Sequence, residues 1–156
     1  MEIALFRPEI PPNTGNISRL AACTGLRLNI IGEPSFSLDE KQVRRAGLDY
    51  WDRLDLVRHE DWPAFLGYAG DPDRILLISK HGKRIYSDHI YRPDDIFVFG
   101  RETTGLPPEI HATITERDPE HVLRLPMLPE CRLLNLSNSV AIIIYEGIRQ
   151  LDLFRA

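Results

Sequence analysis

Ile96-Phe97-Val98-Phe99-Gly100-Arg101-Glu102-Thr103-Thr104-Gly105-Leu106-Pro107-Pro108 contains a whole strand-to-helix unit. Four apolar, partly β-branched residues end at Gly100, the signature of a short buried strand. Gly105 supplies a second turn point, and Pro107-Pro108 open the next helix, where a missing N–H does no harm. The pattern recurs outward from this stretch. Ile3–Phe6, Leu28–Ile31, Leu54–Val57, Ile75–Ile78 and Val122–Leu125 also read as strands. Helical patterns lie between them. Thr14–Thr24 puts Ile17, Leu20, Ala21 and Thr24 on one face and has Gly25 at its C-terminal end. Ser37-Leu38-Asp39-Glu40 forms a capping box for a helix through Arg45, closed by Gly47. Glu60–Tyr68 tolerates Pro63 in its first turn, and Ser137–Leu151 is the longest helix. Alternation of this kind predicts an α/β fold: a parallel sheet with helices on both faces.

The chain has 156 residues, 43% hydrophobic and 27% charged, which fits one domain over residues 1–156 and excludes a disordered or fibrous chain. Its 19 basic and 23 acidic residues give a formal charge of −4, with 9 basic and 12 acidic groups in residues 1–78 and 10 and 11 in residues 79–156. A strongly basic nucleic-acid module is thereby excluded, so any RNA site is a local patch or is built from two chains. Cys23 and Cys131 stand far apart with no zinc or disulfide pattern, and the five histidines are scattered without ligand spacing, so no metal is expected. The start of the chain lacks a signal-peptide pattern and the longest apolar run, Val140–Tyr145, is far short of a membrane span. The expectation is a cytoplasmic protein with no membrane partner.

No GxGxxG follows the first strand, and neither a phosphate-binding P-loop nor GxSxG is present. In open α/β sheets ligands sit beyond the carboxyl ends of the strands. Three post-strand segments therefore attract attention, Ser79-Lys80-His81-Gly82, Gly100–Gly105 and Pro126-Met127-Leu128-Pro129, and three constellations carry candidate chemistry. In Asn13-Thr14-Gly15-Asn16-Ile17-Ser18-Arg19, amides around Gly15 could hold an anion with Arg19 nearby, or Asn13 or Thr14 could simply cap a helix. In the stretch after Phe99, Gly100 could let a ligand approach the backbone, or could belong to a plain connection. Leu125-Pro126-Met127-Leu128-Pro129 leads to Asn135-Leu136-Ser137-Asn138-Ser139, where Ser137 or Asn138 could cap the last helix. Asn138, Ile142, Tyr145 and Arg149 share one face of that helix and point to a site or a subunit contact. The pairs Arg44-Arg45 and Lys83-Arg84 read as solvated faces, with phosphate contact the alternative.

Taken in order, these motifs resemble the SPOUT superfamily of RNA methyltransferases, and within it the TrmL type. Pro8-Glu9-Ile10-Pro11-Pro12-Asn13-Thr14-Gly15-Asn16-Ile17, Arg44-Arg45-Ala46-Gly47-Leu48-Asp49-Tyr50 and Asn135-Leu136-Ser137-Asn138-Ser139-Val140 carry the likeness with the Gly100 loop. The resemblance covers essentially the whole chain. It implies an α/β knot, in which the C-terminal segment threads a loop to form a deep trefoil, a rare exception to the rule against threading. It implies S-adenosylmethionine as cofactor, cradled by loops near Ile78, Gly100, Leu125 and Leu133. It implies a homodimer and 2′-O-methylation of the wobble nucleotide, cytidine or uridine 34, in leucine tRNAs, with the anticodon stem-loop as partner and no DNA. Arg19 and Tyr145 become the candidate catalytic residues. Asn16, Glu102, Asn135, Ser137 and Asn138 become substrate or loop supports. Arg101 stands where many relatives have Pro, and Leu133 where some have Ser. Methylation of another RNA such as rRNA, and a non-catalytic RNA-binding dimer, are the alternatives.

Overall fold

In a computed structural model, residues 1–38 and 51–154 are described, and the statements below concern these residues. The expected helix opened by Ser37–Glu40 and the motif Arg44–Tyr50 lie largely or wholly outside them. The order is β1 (Glu2–Phe6), α1 (Pro11–Thr24), β2 (Arg27–Ile31), β3 (Leu56–His59), α2 (Trp62–Ala69), β4 (Ile75–Ile78), β5 (Arg84–Ile85), β6 (Ile96–Phe99), α3 (Pro108–Thr115), β7 (Val122–Arg124) and α4 (Leu136–Gln150). All strand pairings are parallel, and the sheet runs β3-β2-β1-β6-β4-β7-β5.

Strand alternation divides the apolar side chains between two layers. Ile3, Leu5, Phe97 and Phe99 face Ile17 and Ala21 of α1 and Val140, Ile143, Ile144 and Ile148 of α4. Ala4, Phe6, Ile96 and Val98 face Phe65 and Ala69 of α2 and Ile110 and Ile114 of α3. Each fully buried Ile or Phe contributes roughly 1.5–3 kcal/mol of transfer energy, so both faces need a helical cover. The sequence-based expectation of helices on both faces is met.

Among the strands, two differ most from expectation. The third strand sits two residues later than Leu54–Val57, because the Asp55 carbonyl accepts from Leu28 N before the strand begins and the ladder runs to His59 opposite Ile31. This is an edge strand with polar Arg58 and His59, which hides it from an apolar pattern. The short strand β5 was not expected: Arg84 pairs in the sheet with Leu123 and forms an ion pair with Glu120 at 3.0 Å, so it is not simply a solvated cation.

At the sheet's other end a polar cluster is folded into the core. Asn29, fully buried, donates to Glu2 Oε2 (2.9 Å) and Ile3 O (3.3 Å), so its Oδ1 accepts from His59 Nε2 at 2.9 Å. The Tyr68 hydroxyl donates to the same Glu2 oxygen at 2.8 Å. Burial holds the His59 imidazole below its ordinary 6.5, with Glu2 acting in the opposite sense. The unfolded chain therefore binds the extra proton first. Stability is full above about pH 6.5 and declines as pH falls towards the folded-state value. Chemical denaturation from pH 7.5 to 5 is expected to show this limb, and His59→Gln to flatten it.

Candidate active site

α1 starts earlier than the cap reading implied. Pro11 and Pro12 occupy its first two positions and carry no N–H to satisfy, and Ile10 precedes them with no side-chain cap. Asn13 and Thr14 lie inside the helix, with both amides donating to Ile10 O. Gly15 is also inside α1, so its amide belongs to the helical ladder and is not an anion cradle. The C-terminal end is as expected, at Gly25.

Freed from capping, Asn13 does something else. Its Nδ2 donates to Glu102 Oε1 at 3.1 Å, and its Oδ1 accepts from Asn135 Nδ2 at 2.9 Å. Glu102 also accepts from the amides of Glu9 (2.8 Å) and Ile10 (3.2 Å). That places a carboxylate at the positive end of α1. Glu9 reciprocates across the loop. Its carboxylate accepts from Thr103 N (3.0 Å), Thr103 Oγ1 (2.7 Å) and Arg101 Nε (2.9 Å), with a further contact to Arg101 Nη2. The Thr103 hydroxyl first, and then Arg101, hold the Glu9 carboxyl below its ordinary value. Arg101 is thus engaged with the loop that precedes α1.

Asn135, not Ser137 or Asn138, caps α4: its Oδ1 accepts from Ser137 N (2.9 Å), Ser137 Oγ (2.7 Å) and Asn138 N (3.3 Å). Asn13 thereby ties together the start of α1, the loop after β6 and the start of α4.

Those ties bound a cleft of about 1010 Å³ beyond the carboxyl ends of β4, β6 and β7. Ile78, Gly100, Leu125 and Leu133 all line it, as do Glu102, Asn13 and Asn135. Lys80, His81, Lys83 and His111 line it as well. Burial, and then neighbouring His81, hold His111 below its ordinary value, favouring the neutral ring. Lys80 and Lys83 make no ion pair with any described residue. Glu102 is committed to the loop.

Gly100, which lines the cleft, has a further physical reason. A Cβ there would meet Gly105 C at 2.3 Å and Leu106 N at 2.4 Å. The loop folds back on itself, with Arg101 N donating to Gly105 O (3.1 Å) and Gly105 N to Arg101 O (2.9 Å). It is the chain's own backbone that needs the room. Gly100→Ala is expected to destabilise by about 2–3 kcal/mol, as overpacking against backbone does, and denaturant midpoints would measure it.

The remaining residues singled out by sequence are elsewhere. Asn16 and Arg19 are exposed on α1, and Asn138, Ile142, Tyr145 and Arg149 are exposed on α4; of these, none lines the cleft. Tyr145 is 57% exposed and Ile142 38%. The helices that carry them pack against each other. Sequence reasoning missed Glu9, Asn13 and Thr103 as the loop's ties and His111 as a cleft residue, whereas Lys80 lies in the expected segment after β4 and Lys83 in a pair with phosphate contact as its alternative. Among the described residues, no group of three or more His, Cys, Asp or Glu could hold a metal ion. Nor is any helix among them long and apolar enough to cross a membrane.

A parallel α/β sheet with a mixed apolar and cationic cleft at its carboxyl edge defines a small-ligand-binding α/β class. Within that class, the model of the SpoU rRNA Methylase family matches residues 1–145, and the chain belongs to this family. A tRNA (cytidine(34)-2'-O)-methyltransferase of Methylovorus glucosotrophus is 47% identical over 151 residues, covering 97% of this chain and 96% of the relative. A solved structure concerned with 2-OH methylation of C/U34 on tRNA superposes with a TM-score of 0.85 at 37% identity, covering 97% of this chain and 95% of the other. The SpoU methyltransferase AviRb from Streptomyces viridochromogenes, solved with AdoMet, gives a TM-score of 0.81 at 22% identity, covering 97% of this chain and 60% of that one. This last likeness supports the fold.

Proposed function

We propose that the chain is an S-adenosylmethionine-dependent methyltransferase of the 2′-hydroxyl of nucleotide 34, a cytidine or uridine, in leucine tRNAs. The single observation that carries the reading is the cleft. Loops from three separated parts of the chain converge there, at the edge where α/β sheets bind ligands. The relatives' activity is the second support.

The lining fits the cofactor. Ile78, Leu125 and Leu133 offer apolar surface for an adenine ring, while the loop backbones offer donors and acceptors for its edge and for a ribose. A volume of about 1010 Å³ leaves space beside it for a nucleotide. Once bound, the cofactor supplies an electrophilic methyl group on a sulfonium centre. The chain's part is alignment, which can supply about 7–11 kcal/mol, and assistance to proton loss. Arg19 carries five N–H donors and no acceptor. It therefore serves by orienting the ribose or a phosphate that accepts the proton. Tyr145 faces the nucleotide or the partner subunit.

Arg19 and Tyr145 lie outside their own chain's cleft, so we assign the site to a homodimer in which one protomer's helices complete the partner's cleft. Exposed Ile142 and Tyr145 on α4 support this. The anticodon stem-loop is the partner RNA, with Lys80 and Lys83 available to its phosphates. Asn16, Glu102, Asn135, Ser137 and Asn138 support the loops or the substrate. One domain over residues 1–156 does this in the cytoplasm. The strand order supports threading of the C-terminal segment as a trefoil knot, because β7 lies between the earlier β4 and β5 before the chain returns to α4 beside α1. Incubation with labelled S-adenosylmethionine and unmodified tRNA tests the reading: label is expected in an alkali-resistant dinucleotide, as a blocked 2′-hydroxyl requires. Label released as a base-methylated nucleoside, or none, would contradict it.

A further inference from the structure

Arg7, immediately after β1, has φ 42°, a left-handed conformation that a side chain beyond Cβ rarely adopts. Its guanidinium lies 5.4 Å from the centre of the Phe6 ring. The stem crosses Gly32 so closely that a Cβ there would come within 2.8 Å of Arg7 Nε and 2.9 Å of Cγ. Backbone strain, an aromatic platform and a bare glycine thus converge on one exposed side chain. Yet no carboxylate among the described residues pairs with it, while neighbouring Arg101 is already held by Glu9. Strained residues of this kind collect at functional sites.

Arg7 borders a second hollow, about 390 Å³, with Glu33, Pro34, Ser35 and Arg101. Arg101 also lines the large cleft, so the hollow and the cleft share a wall. We infer that Arg7 and the Ser35 hydroxyl form a phosphate subsite on this ledge, which takes a backbone phosphate of the RNA whose reacting nucleotide enters the cleft. The inference rests on the RNA-methylation reading above. A guanidinium fork held against a ring offers two parallel donors to phosphate oxygens, and Ser35 adds a third donor. Glu33 opposes the anion and moderates the affinity.

The test uses full-length protein, tRNA and a salt titration. Arg7→Gly and Arg7→Asn both suit a left-handed backbone, so each is expected to melt at or above the wild-type temperature while binding tRNA about 3–10-fold more weakly. Loss of one phosphate contact lowers the slope of log affinity against log salt by about 0.7–0.9. Glu33→Gln is expected to tighten binding about 2–3-fold, and cofactor affinity by calorimetry stays unchanged in all three. Wild-type affinity and slope in both Arg7 variants would overturn the inference. So would a displacement of tRNA by inorganic phosphate, at matched ionic strength, that Arg7→Gly abolishes, since it marks a free-phosphate site. Failure of the wild-type protein to bind tRNA at all would instead overturn the methylation reading, and this inference with it.

Discussion

Arg19→Ala is expected to lower the turnover number for methyl transfer by about 10²–10⁴-fold, the range a positioned group contributes to proton transfer. Cofactor affinity is expected to stay within about twofold, because Arg19 is assigned to the ribose or a phosphate of the RNA, whereas Ile78, Gly100, Leu125 and Leu133 of the cleft are assigned to the cofactor. The contrast separates a reacting-group role from a folding role. Arg19→Lys keeps the charge but loses the planar fork that can engage a ribose or phosphate at two points, so it recovers only part of the rate. Because the proposed site is shared, a mixture of Arg19→Ala with a variant disabled in the cofactor cleft should regain activity through mixed dimers. The readouts are steady-state kinetics on tRNA and calorimetric titration of S-adenosylmethionine. Full activity in Arg19→Ala would remove Arg19 from the chemistry.

Glu102→Ala has the largest expected effect on the scaffold. Its carboxylate receives the Glu9 and Ile10 amides and Asn13 Nδ2, all at the approach to α1. A hydrogen bond to a charged group is worth about 1.5–3 kcal/mol, less where water competes. A loss of roughly 2–4 kcal/mol follows, or about 5–15 °C in melting temperature for a chain of this size. The consequence reaches the ligand site, because Asn13 links Glu102 to Asn135 and so to the cap of α4. Cofactor affinity is expected to fall about tenfold or more. Asn13→Ala should produce a milder version of the same effect, and the double variant should show a coupling of about 0.5–3 kcal/mol, as for residues in one network. Additive losses would mean that the two side chains act independently.

The physics of these ties explains what the sequence could and could not disclose. Ile75–Ile78 and Ile96–Phe99 are short apolar runs between turn residues, and their bounds were legible to the residue. Pro11 was not legible as a helix start, because polar Asn13 and Thr14 look like caps and two prolines look like a breaker. Edge strand β3 was misplaced because its last two residues are polar, and β5 has only two residues to show. The four residues carried over to the cofactor pocket do converge in one cleft. The Asn13 hub joins positions separated by 89 and 122 residues, and no local spacing encodes such a pairing. Lys80 and Lys83 share a cleft with Leu125 and Asn135 only once β7 pairs with β4 and β5.

The central claim is methylation of the ribose of nucleotide 34, and the most direct measurement locates the transferred methyl group. Total tRNA and rRNA from a strain lacking the gene would be incubated with the purified protein and labelled S-adenosylmethionine, then digested and mapped. Label is expected on the 2′-oxygen of cytidine or uridine 34 in leucine tRNAs, and none in rRNA. Label confined to rRNA, or bound cofactor with no transfer to either RNA, would contradict that claim.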